Sequence, residues 1–297
     1  MPEVEPEVRR YAGARVRVGG GRSALLPAAA PGPGMVAGQF SVVSPGTERR
    51  HLAGTHRDGG YMTLGRTDEA ADWVLAPVPH GAAFDPACPG AVTAPPELPP
   101  RLVALARFQQ MACLGLDRVP AADLNAPVVV GSGSVALGCV LELQRRGVTS
   151  IRVVTSRRHA PISRAPGVTC VPTDAVERGQ LVIDAAGVPQ RAADLTAPGG
   201  VLGLLGTPLD GDAVPALQAH RGGWTVVGMH ELAPADPGAY QAAYTTVAAW
   251  LAEHLDPALA ATWCRTMPGD RAPELLALLN APSRPAEPLL LLDWRTS

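Results

Sequence analysis

Residues 127–158 have the sequence PVVVGSGSVALGCVLELQRRGVTSIRVVTSRR, and this stretch decides the fold. An apolar run at residues 128–130 is followed by the glycine-rich segment Gly131–Ala136, by a stretch with helical spacing, and by a second apolar run that ends at Val154. This order predicts a strand, a glycine turn, a helix and a second strand. Together they form one βαβ unit with a G-x-G-x-x-A turn.

The glycine turn has the residue types that a bound dinucleotide requires. Gly131 permits the tight turn, Gly133 lets the backbone approach a pyrophosphate, and Ala136 lets the helix pack on the strand. The first helical residues, Ser134 and Val135, present N–H groups and the positive end of the helix dipole to the phosphates. A glycine turn in an α/β domain that binds no nucleotide is the simpler alternative.

The tip of the second strand carries Thr155, Ser156, Arg157 and Arg158. In an NAD site this position usually carries an acidic residue that bonds the ribose 2′-hydroxyl. A carboxylate would repel a 2′-phosphate, whereas guanidinium groups bind phosphate through charge-assisted and often bidentate hydrogen bonds. The tip therefore favours NADPH (or NADP+) over NADH.

Composition limits the classes of protein to which the chain belongs. It has 297 residues, a net charge of −2, five cysteines without C-x-x-C spacing, and no lysine among its 25 basic residues. The charge argues against a nucleic-acid or membrane-surface partner, and the cysteines support neither a disulfide framework nor a structural zinc loop. No apolar run is long enough to span a bilayer, and the polar N-terminus MPEVEPEVRR does not suit a signal peptide. We therefore expect a cytoplasmic protein that acts on a small molecule.

The pattern along the chain predicts three regions. Residues 1–98 are rich in glycine and proline, with short alternating runs typical of irregular β structure. Residues 99–256 alternate strands and helices, as a doubly wound parallel sheet does, and residues 257–297 end on a further apolar strand at 289–292. The candidate strands of the sheet are 127–131, 150–155, 168–171, 180–184, 200–205 and 224–228, and the candidate helices are 101–118, 237–256 and 271–280.

Several motifs carry a resemblance to a known family. Besides the glycine turn, they are LVIDAAG (Leu181–Gly187) followed by PGGVL (Pro198–Leu202), and SVVSPGTER (Ser41–Arg49). With the order of the three regions, they resemble the medium-chain dehydrogenase/reductase superfamily over nearly the whole chain. SPGTER and GYMTLG (Gly60–Gly65) are similar to a zinc-less branch that includes bacteriochlorophyllide-dehydrogenase-like oxidoreductases. The resemblance implies an α/β fold: a Rossmann cofactor domain, and a β-rich GroES-like catalytic domain completed by the C-terminal segment.

The resemblance also lets each metal-ligand position be compared. Where zinc alcohol dehydrogenases have their ligands, this sequence aligns Ser44, Tyr61 and Gln109, with Cys113 one helical turn further on. A catalytic zinc takes about three protein ligands of nitrogen, sulfur or carboxylate type. We therefore expect no catalytic metal.

Without zinc, hydride transfer needs a hydrogen-bond donor close to the substrate atom that gains negative charge. Tyr61 is the first candidate, because it stands where the family has a metal-ligating histidine, and Ser44 and Thr47 follow. His80 in a proline-flanked loop and His230 after the last Rossmann strand are further candidates. Each has a structural alternative: a core tyrosine, a turn-capping hydroxyl, or a surface or core histidine.

Two further sets of residues have expected roles. Glu48 and Arg49 are interpreted as a structural ion pair that holds the SPGTER turn. The backbone of Ala185 to Gly187, and that of Gly206 and Thr207, is expected to contact the cofactor, because the carboxyl ends of strands face the ligand in this fold.

The leading hypothesis is a zinc-independent, NADPH-dependent oxidoreductase that transfers hydride to or from a small organic substrate, at a C=O, activated C=C or C=N bond. Analogy suggests a tailoring step in secondary metabolism. Two alternatives stay open: a non-redox enzyme of the same fold, such as a cyclase or eliminase, and a noncatalytic nucleotide-binding partner subunit. The resemblance also implies a possible homodimer through the last Rossmann strand, near residues 224–228.

Overall fold

The computed structural model describes residues 14–28, 30–120, 124–172, 174–208, 211–231, 237–281 and 283–295. The strands in these ranges are β1 (Ala14–Gly19), β2 (Arg22–Pro27), β3 (Phe40–Val43), β4 (Arg57–Asp58), β5 (Thr63–Gly65), β6 (Trp73–Ala76), β7 (Val92–Ala94), β8 (Val128–Val130), β9 (Ile151–Val154), β10 (Val168–Val171), β11 (Gly179–Asp184), β12 (Thr196–Leu204), β13 (Thr225–Gly228), β14 (Cys264–Pro268) and β15 (Leu289–Asp293). The helices are α1 (Pro45–Ala53), α2 (Pro100–Leu116), α3 (Ser134–Arg145), α4 (Pro189–Asp194), α5 (Ala216–Gly222), α6 (Pro237–His254), α7 (Pro257–Thr262) and α8 (Ala272–Leu278). None of the helices in the described ranges combines the length and the apolar character needed to cross a membrane.

Six strands form a parallel sheet in the order β10-β9-β8-β11-β12-β13. Numbered within the sheet, this is 3-2-1-4-5-6, the order of the doubly wound dinucleotide-binding fold. The predicted fold class is thus confirmed for this part of the chain. The strand order reverses at β8, so the carboxyl ends of β8 and its neighbours border the crevice in which such sheets bind ligands.

Helix α2 packs against α3 and α6, and it also contacts β6 and β15. A Cβ atom at Gly138 on α3 would lie 2.4 Å from the backbone carbonyl of Phe108, so glycine allows α2 and α3 to pack in close contact. On another side of α2, the Tyr244 hydroxyl of α6 donates a hydrogen bond of 3.0 Å to the Val103 carbonyl. Polar side chains on this buried helix are therefore held in fixed positions.

The second large sheet has the order β14-β15-β3-β5-β6-β7. The C-terminal strand β15 pairs antiparallel with β3, with Leu291 opposite Val42, so the end of the chain completes the N-terminal sheet as predicted. Leu289 and Leu291 pack in the main core, whereas Leu290 and Leu292 pack on the other face in a smaller core. The run of leucines is apolar because both faces of this strand are buried. A separate three-stranded sheet, β2-β1-β4, adjoins the smaller core.

Two local predictions differ from the structure. The SPGTER segment forms helix α1 rather than a turn: Ser44 is the N-cap residue and Pro45 is the first helical residue, where its missing N–H costs nothing. The segment Pro198–Gly200, which comes before most of the candidate strand 200–205, lies within β12, which begins at Thr196 and accommodates Gly199 at a φ of +71° beside a register irregularity. In both segments proline and glycine interrupt the apolar pattern of the sequence, but they do not end helix α1 or strand β12.

Candidate active site

The glycine turn lies between β8 and α3, where the sequence predicted it. Gly131 has a φ of +117°, a conformation that other residues adopt only with strain, and its N–H donates to the Val154 carbonyl at 2.9 Å. A Cβ atom at Gly133 would meet nothing within 4 Å, so the space in front of α3 is open. Ser134 and Ala136 are buried at the start of α3. The turn therefore fits the close approach of a phosphate to the helix N-terminus.

A cleft of about 270 Å³ opens at this turn, and we call it the arginine cleft. Ser132 and Thr155 hold its two strand tips together through a hydroxyl–hydroxyl hydrogen bond of 2.8 Å, and the Arg157 N–H donates to Thr155 Oγ1 at 3.1 Å. Exposed Ser156 also lines it. Its lining consists of Val130, Gly131, Ser132, Gly133, Val154, Thr155, Ser156, Arg157, Ala186, Val188, Arg191 and Arg284.

Three arginines from different parts of the chain line the arginine cleft: Arg157, Arg191 on α4 and Arg284 in the loop before β15. Burial lowers the pKa of the Arg157 guanidinium, and the charge of Arg284 lowers it further. Arg157 also donates to the carbonyls of Pro285 and Ala286, at 3.1 and 2.9 Å, which ties the strand tip to the C-terminal segment. Positive charges that lie close together repel one another, and a bound anion would relieve this repulsion.

The sequence predicted that Arg157 and Arg158 bind the cofactor, and both roles stay predictions. Arg157 lines the cleft, whereas Arg158 is exposed outside its lining. Arg191 and Arg284 were missed because neither belongs to a motif.

The predicted cofactor contacts after β11 and β12 pack against one another. The Asp184 carboxylate, at the end of β11, accepts a hydrogen bond of 3.0 Å from the Ala186 N–H. Burial raises the pKa of Asp184 to about 6, opposed by hydrogen bonds from the N–H groups of Ala186, Val188 and Gly187. Asp184 therefore holds the turn that follows β11 through its side chain.

Glycines make this contact between the two turns possible. Gly187 has a φ of +70°, and a Cβ atom there would lie 2.2 Å from the Thr207 carbonyl oxygen. The Gly206 N–H donates to the Asp184 carbonyl at 2.6 Å. Ala186 lines the arginine cleft, while Ala185, Gly187, Gly206 and Thr207 lie outside its lining. Their contact with a cofactor stays a prediction.

Ser44 and Tyr61, the two leading catalytic candidates, lie together. Buried Ser44 follows β3, and the Tyr61 hydroxyl shares a hydrogen bond with it. Burial raises the pKa of the Tyr61 phenol, and the bond with Ser44 opposes this shift. Tyr61 therefore keeps its proton at neutral pH and is a hydrogen-bond donor.

Glu48 makes a different ion pair from the predicted one. Its carboxylate is fully buried, with Oε1 3.2 Å from His80 Nε2 and Oε2 3.9 Å from His51 Nδ1. Arg49 instead donates from Nε to the Asn280 side-chain oxygen at 2.9 Å. The interpretation of Glu48 and Arg49 as a pair is wrong, because successive residues of helix α1 point in different directions.

Gly60 makes room for the buried Glu48–His80 pair. A Cβ atom at Gly60, which has a φ of +85°, would lie 2.6 Å from the His80 ring. His80 itself is fully buried, so it acts on a substrate only through another group. Burial lowers the pKa of His51, and the charge of Glu48 opposes this shift.

A group of polar residues that the sequence did not reveal lies beside Tyr61. Arg107, buried on α2, contacts the Glu231 carboxylate at 2.5 Å, donates to Gln110 Oε1 at 2.5 Å and bonds the Tyr240 hydroxyl. The charges of Arg107 and Glu231 act on the Tyr61 phenol. We call Ser44, Glu48, Tyr61, His80, Arg107 and Glu231 the inner polar cluster.

The remaining catalytic candidates, Thr47 and His230, are on other elements than Tyr61. Thr47 is partly buried on the first turn of α1. His230 is exposed after β13, and its carbonyl accepts a hydrogen bond of 3.2 Å from Arg118. Catalytic roles for Tyr61, Thr47, Ser44, His80 and His230 stay predictions.

The positions aligned with zinc ligands do not converge. Ser44 and Tyr61 are together, but Gln109 donates to the buried Glu142 carboxylate on α3 at 3.3 Å. Among the described residues, no group of three or more His, Cys, Asp or Glu side chains suits a metal ion. A metal-independent reaction stays a prediction that only measurement of metal content tests.

Comparisons with known proteins place the fold. No protein-family model matches the sequence, and a search of curated proteins gave no match. Solved structures do match, over nearly the whole chain and at low sequence identity. The similarity therefore concerns the fold.

Three solved structures illustrate this fold similarity. The short chain alcohol dehydrogenase rspB of Escherichia coli CFT073, complexed with NADH, has a TM-score of 0.73 and 12% identity, covering 96% of this chain and 100% of its own. The alcohol dehydrogenase TADH of Thermus sp. ATN1 has a TM-score of 0.72 and 15% identity, covering 94% and 99%. The yhdH oxidoreductase of Salmonella enterica, in complex with NADP, has a TM-score of 0.63 and 16% identity, covering 95% and 99%. The chain shares the fold of these dehydrogenases and oxidoreductases, with a Rossmann part and a GroES-like part, as the sequence predicted.

Proposed function

We propose that the protein is an NADPH-dependent oxidoreductase that transfers hydride to or from a small organic substrate. The observation that carries this proposal is the arginine cleft, in which an open glycine turn and three guanidinium groups meet at the switch point of a parallel sheet. The solved complexes of rspB with NADH and of yhdH with NADP support a nicotinamide cofactor for this fold. When bound, such a cofactor supplies the hydride.

The preference for NADPH is proposed from charge. No carboxylate lines the arginine cleft among the described residues, and Arg157, Arg191 and Arg284 all do. Three guanidinium groups suit a phosphate monoester, which offers several acceptor oxygens, better than a ribose hydroxyl. We therefore assign the 2′-phosphate of NADPH to this cleft.

The inner polar cluster suits the substrate end of the reaction. Tyr61, protonated because burial raises the pKa of its phenol, donates a hydrogen bond to the substrate atom that gains negative charge, while Ser44 orients the phenol. Glu48 and His80, which contact each other in the core, support the segment that carries Tyr61. A carbonyl, an activated C=C or a C=N bond meets these requirements, and a tailoring step in secondary metabolism is proposed by analogy alone.

Zinc independence and the similarity to the bacteriochlorophyllide-dehydrogenase-like branch belong to the same proposal. The side chains at Ser44, Tyr61 and Gln109 support it, because none is a usual zinc ligand. Elemental analysis of protein purified without added metal is expected to find far less than one zinc per chain, and about one zinc per chain would contradict it.

A homodimer through β13 is proposed as the assembly. This strand is at the edge of the parallel sheet, and its residues Thr225, Val226 and Gly228 are exposed. An unpaired edge of this kind is a template for pairing with a second copy. Light scattering is expected to give twice the chain mass for the wild type and the chain mass for Val226→Pro, which removes a backbone donor.

Two measurements test the proposed function. Titration calorimetry is expected to show tighter binding of NADPH than of NADH, and Arg157→Ala, Arg191→Ala and Arg284→Ala are each expected to weaken NADPH by about tenfold while changing NADH little. Arg158→Ala is the matched control, because Arg158 is exposed outside the cleft. Equal losses for NADPH and NADH would contradict the 2′-phosphate assignment.

The second measurement is turnover. NADPH absorbance is followed against a panel of ketones, enones and imines, and cofactor oxidation coupled to product formation supports the oxidoreductase. Product formation without cofactor oxidation would replace it with a non-redox enzyme of the same fold. Tight NADPH binding without turnover on any class would replace it with a nucleotide-binding partner subunit.

A further inference from the structure

A second cavity, of about 420 Å³, lies at the end of the mixed sheet opposite to Ser44, and we call it the Trp73 pocket. It is lined by Phe40 at the start of β3 and Trp73 at the start of β6. Ser44 follows the other end of β3, about 13 Å away at the rise of a strand. The volume is within the range of small-molecule sites. The pocket is therefore distinct from the arginine cleft and from the inner polar cluster.

Two adjacent aromatic rings, each with one guanidinium group stacked on it, form one wall of the Trp73 pocket. The Arg66 guanidinium lies 4.5 Å from the centre of the Trp73 ring, and the Arg295 guanidinium lies 4.3 Å from the centre of the Phe40 ring. The two rings meet edge to face at 6.0 Å. Stacking of this kind fixes the orientation of the guanidinium groups.

The charge balance of the Trp73 pocket is positive. Three arginines line it, Arg66, Arg101 and Arg295, against two carboxylates. Asp293 is engaged with Arg295 through two hydrogen bonds, of 3.0 and 2.9 Å, and Glu97 is exposed. The excess of one positive charge favours a monoanion.

Two buried donors in the Trp73 pocket have no acceptor among the described residues. Trp73 is 2% exposed, and its indole N–H has no partner; the same holds for the Nε–H of Arg101. Both groups only donate hydrogen bonds. An unmet buried donor costs about 1–3 kcal/mol, so an acceptor that reaches either group would stabilise the protein.

The surroundings of Arg101 also favour an acceptor. Arg101 is on the first turn of α2, a helix of 17 residues whose N-cap, Pro99, makes no side-chain capping bond. The positive end of the helix dipole therefore acts on the same space. Burial raises the pKa of the Cys264 thiol in this pocket to about 11, opposed by Thr266 and by the charge of Arg101, so the thiol adds no negative charge.

We propose that the Trp73 pocket binds a small organic carboxylate. The carboxylate accepts hydrogen bonds from the Arg101 guanidinium and the Trp73 indole. The apolar body of the ligand packs against Phe40, Leu98 and Leu291. This assignment is independent of the cofactor and of the proposed reaction, because it uses none of the residues of either site.

Titration calorimetry with benzoate tests the proposal, with protein saturated in NADPH so that the arginine cleft is filled. Benzoate is expected to bind at one saturable site per chain. Benzyl alcohol, which keeps the ring and lacks the charge, is expected to bind at least about tenfold more weakly. Heat from benzoate that matches simple dilution, or benzoate binding that is seen only when NADPH is left out, would overturn the proposal.

Three variants locate the site. Arg101→Gln is expected to weaken benzoate by about tenfold, and Trp73→Phe, which removes the indole N–H together with part of the ring, by about threefold to tenfold. Arg22→Ala is the charge-matched control, because Arg22 is exposed on β2 and outside the pocket, and it is expected to bind benzoate like the wild type. An equal loss in Arg22→Ala and Arg101→Gln would show binding through general charge only and would refute the site.

A second readout covers the folding of the variants. Trp73→Phe also leaves space beside Phe40 in the core, so its melting temperature without benzoate is expected to fall by a few degrees while the protein stays folded at about 25 °C. Added benzoate is expected to raise the melting temperature of the wild type more than that of Trp73→Phe. Equal increases in both proteins would contradict the indole contact.

Discussion

The arginine cleft and the inner polar cluster are built in different ways. Most of the cleft comes from one stretch, residues 127–158, in which local geometry places a glycine turn beside a strand tip. The cluster instead takes residues from α1, from the segment before β5, from α2 and from the segment after β13. Changes in the cleft should therefore alter ligand binding with little effect on folding, whereas changes in the cluster should alter folding and chemistry together.

The largest effect is expected from Glu48→Ala, which tests the structural half of this comparison. The variant leaves buried His80 without the carboxylate that lies 3.2 Å from its ring. Loss of a buried side chain that leaves a cavity beside an unpaired polar ring costs about 3 kcal/mol, and we expect the free energy of unfolding in urea to fall by that amount. Glu253→Ala, at a side chain that is 77% exposed, is the control and should change the free energy by less than about 0.5 kcal/mol. Similar values for both variants would show that the cluster is not structural.

Tyr61→Phe tests the proposed role of the inner polar cluster in the reaction. Loss of the phenolic donor is expected to lower kcat about a hundredfold, on the substrate found by the turnover screen, while leaving the Kd of NADPH unchanged. Tyr244→Phe removes a fully buried hydroxyl, which donates to the Val103 carbonyl in the core. It should lower the stability by about 1 kcal/mol and leave kcat unchanged. A kcat for Tyr61→Phe within twofold of the wild type would rule Tyr61 out as the donor.

The same difference explains what the sequence predicts well. The strands and the glycine turn follow from apolar runs and from small residues at fixed spacing, all of which act locally. Arg191 and Arg284 carry no such pattern, and only the tertiary fold brings them to the strand tip. Arg107 and Gln110 did leave a signal, as polar residues within the apolar predicted helix 101–118. Their partners are far along the chain, so the signal did not reveal what they bind.

The error at SPGTER has a related physical cause. Proline and glycine often end an element, so the sequence predicted a turn, but proline is compatible with the first position of a helix. Once residues 45–53 form a helix, Glu48 points into the core towards His80, and Arg49 points towards Asn280. A correct helix assignment would have separated Glu48 from Arg49.

Gly133→Asn tests whether the open space at the glycine turn is a binding site. Asparagine is a favourable N-cap residue, and the extended backbone at Gly133 accepts it, so the fold should be unchanged. The added side chain fills the space in front of α3, and we expect NADPH binding to weaken about a hundredfold, or about 2.7 kcal/mol. Gly147→Asn, the same change in open space at the other end of α3, is the control and should bind NADPH normally. Unchanged affinity in Gly133→Asn would mean that no phosphate approaches the turn.

The smallest effect concerns Asp184, whose carboxylate holds the turn that carries Ala186 into the lining of the cleft. Burial raises the pKa of this carboxyl from 3.8 to about 6 in the folded protein. The folded state then binds more protons than the unfolded state between these values, so the contribution of Asp184 to stability is full below about pH 3.8 and is lost as the pH rises through about 6.

Asp184→Asn removes this titration and keeps an oxygen that accepts from the Ala186 N–H. Between pH 5 and pH 7 we expect the wild type to lose about 1 kcal/mol relative to the variant, measured as the difference in their free energies of unfolding in urea. All other titrating groups cancel in that difference. A constant difference across this pH range would mean that the carboxyl is solvated in the folded protein, and that the turn after β11 is held by its backbone contacts to Gly206 and Gly187 without help from the buried charge.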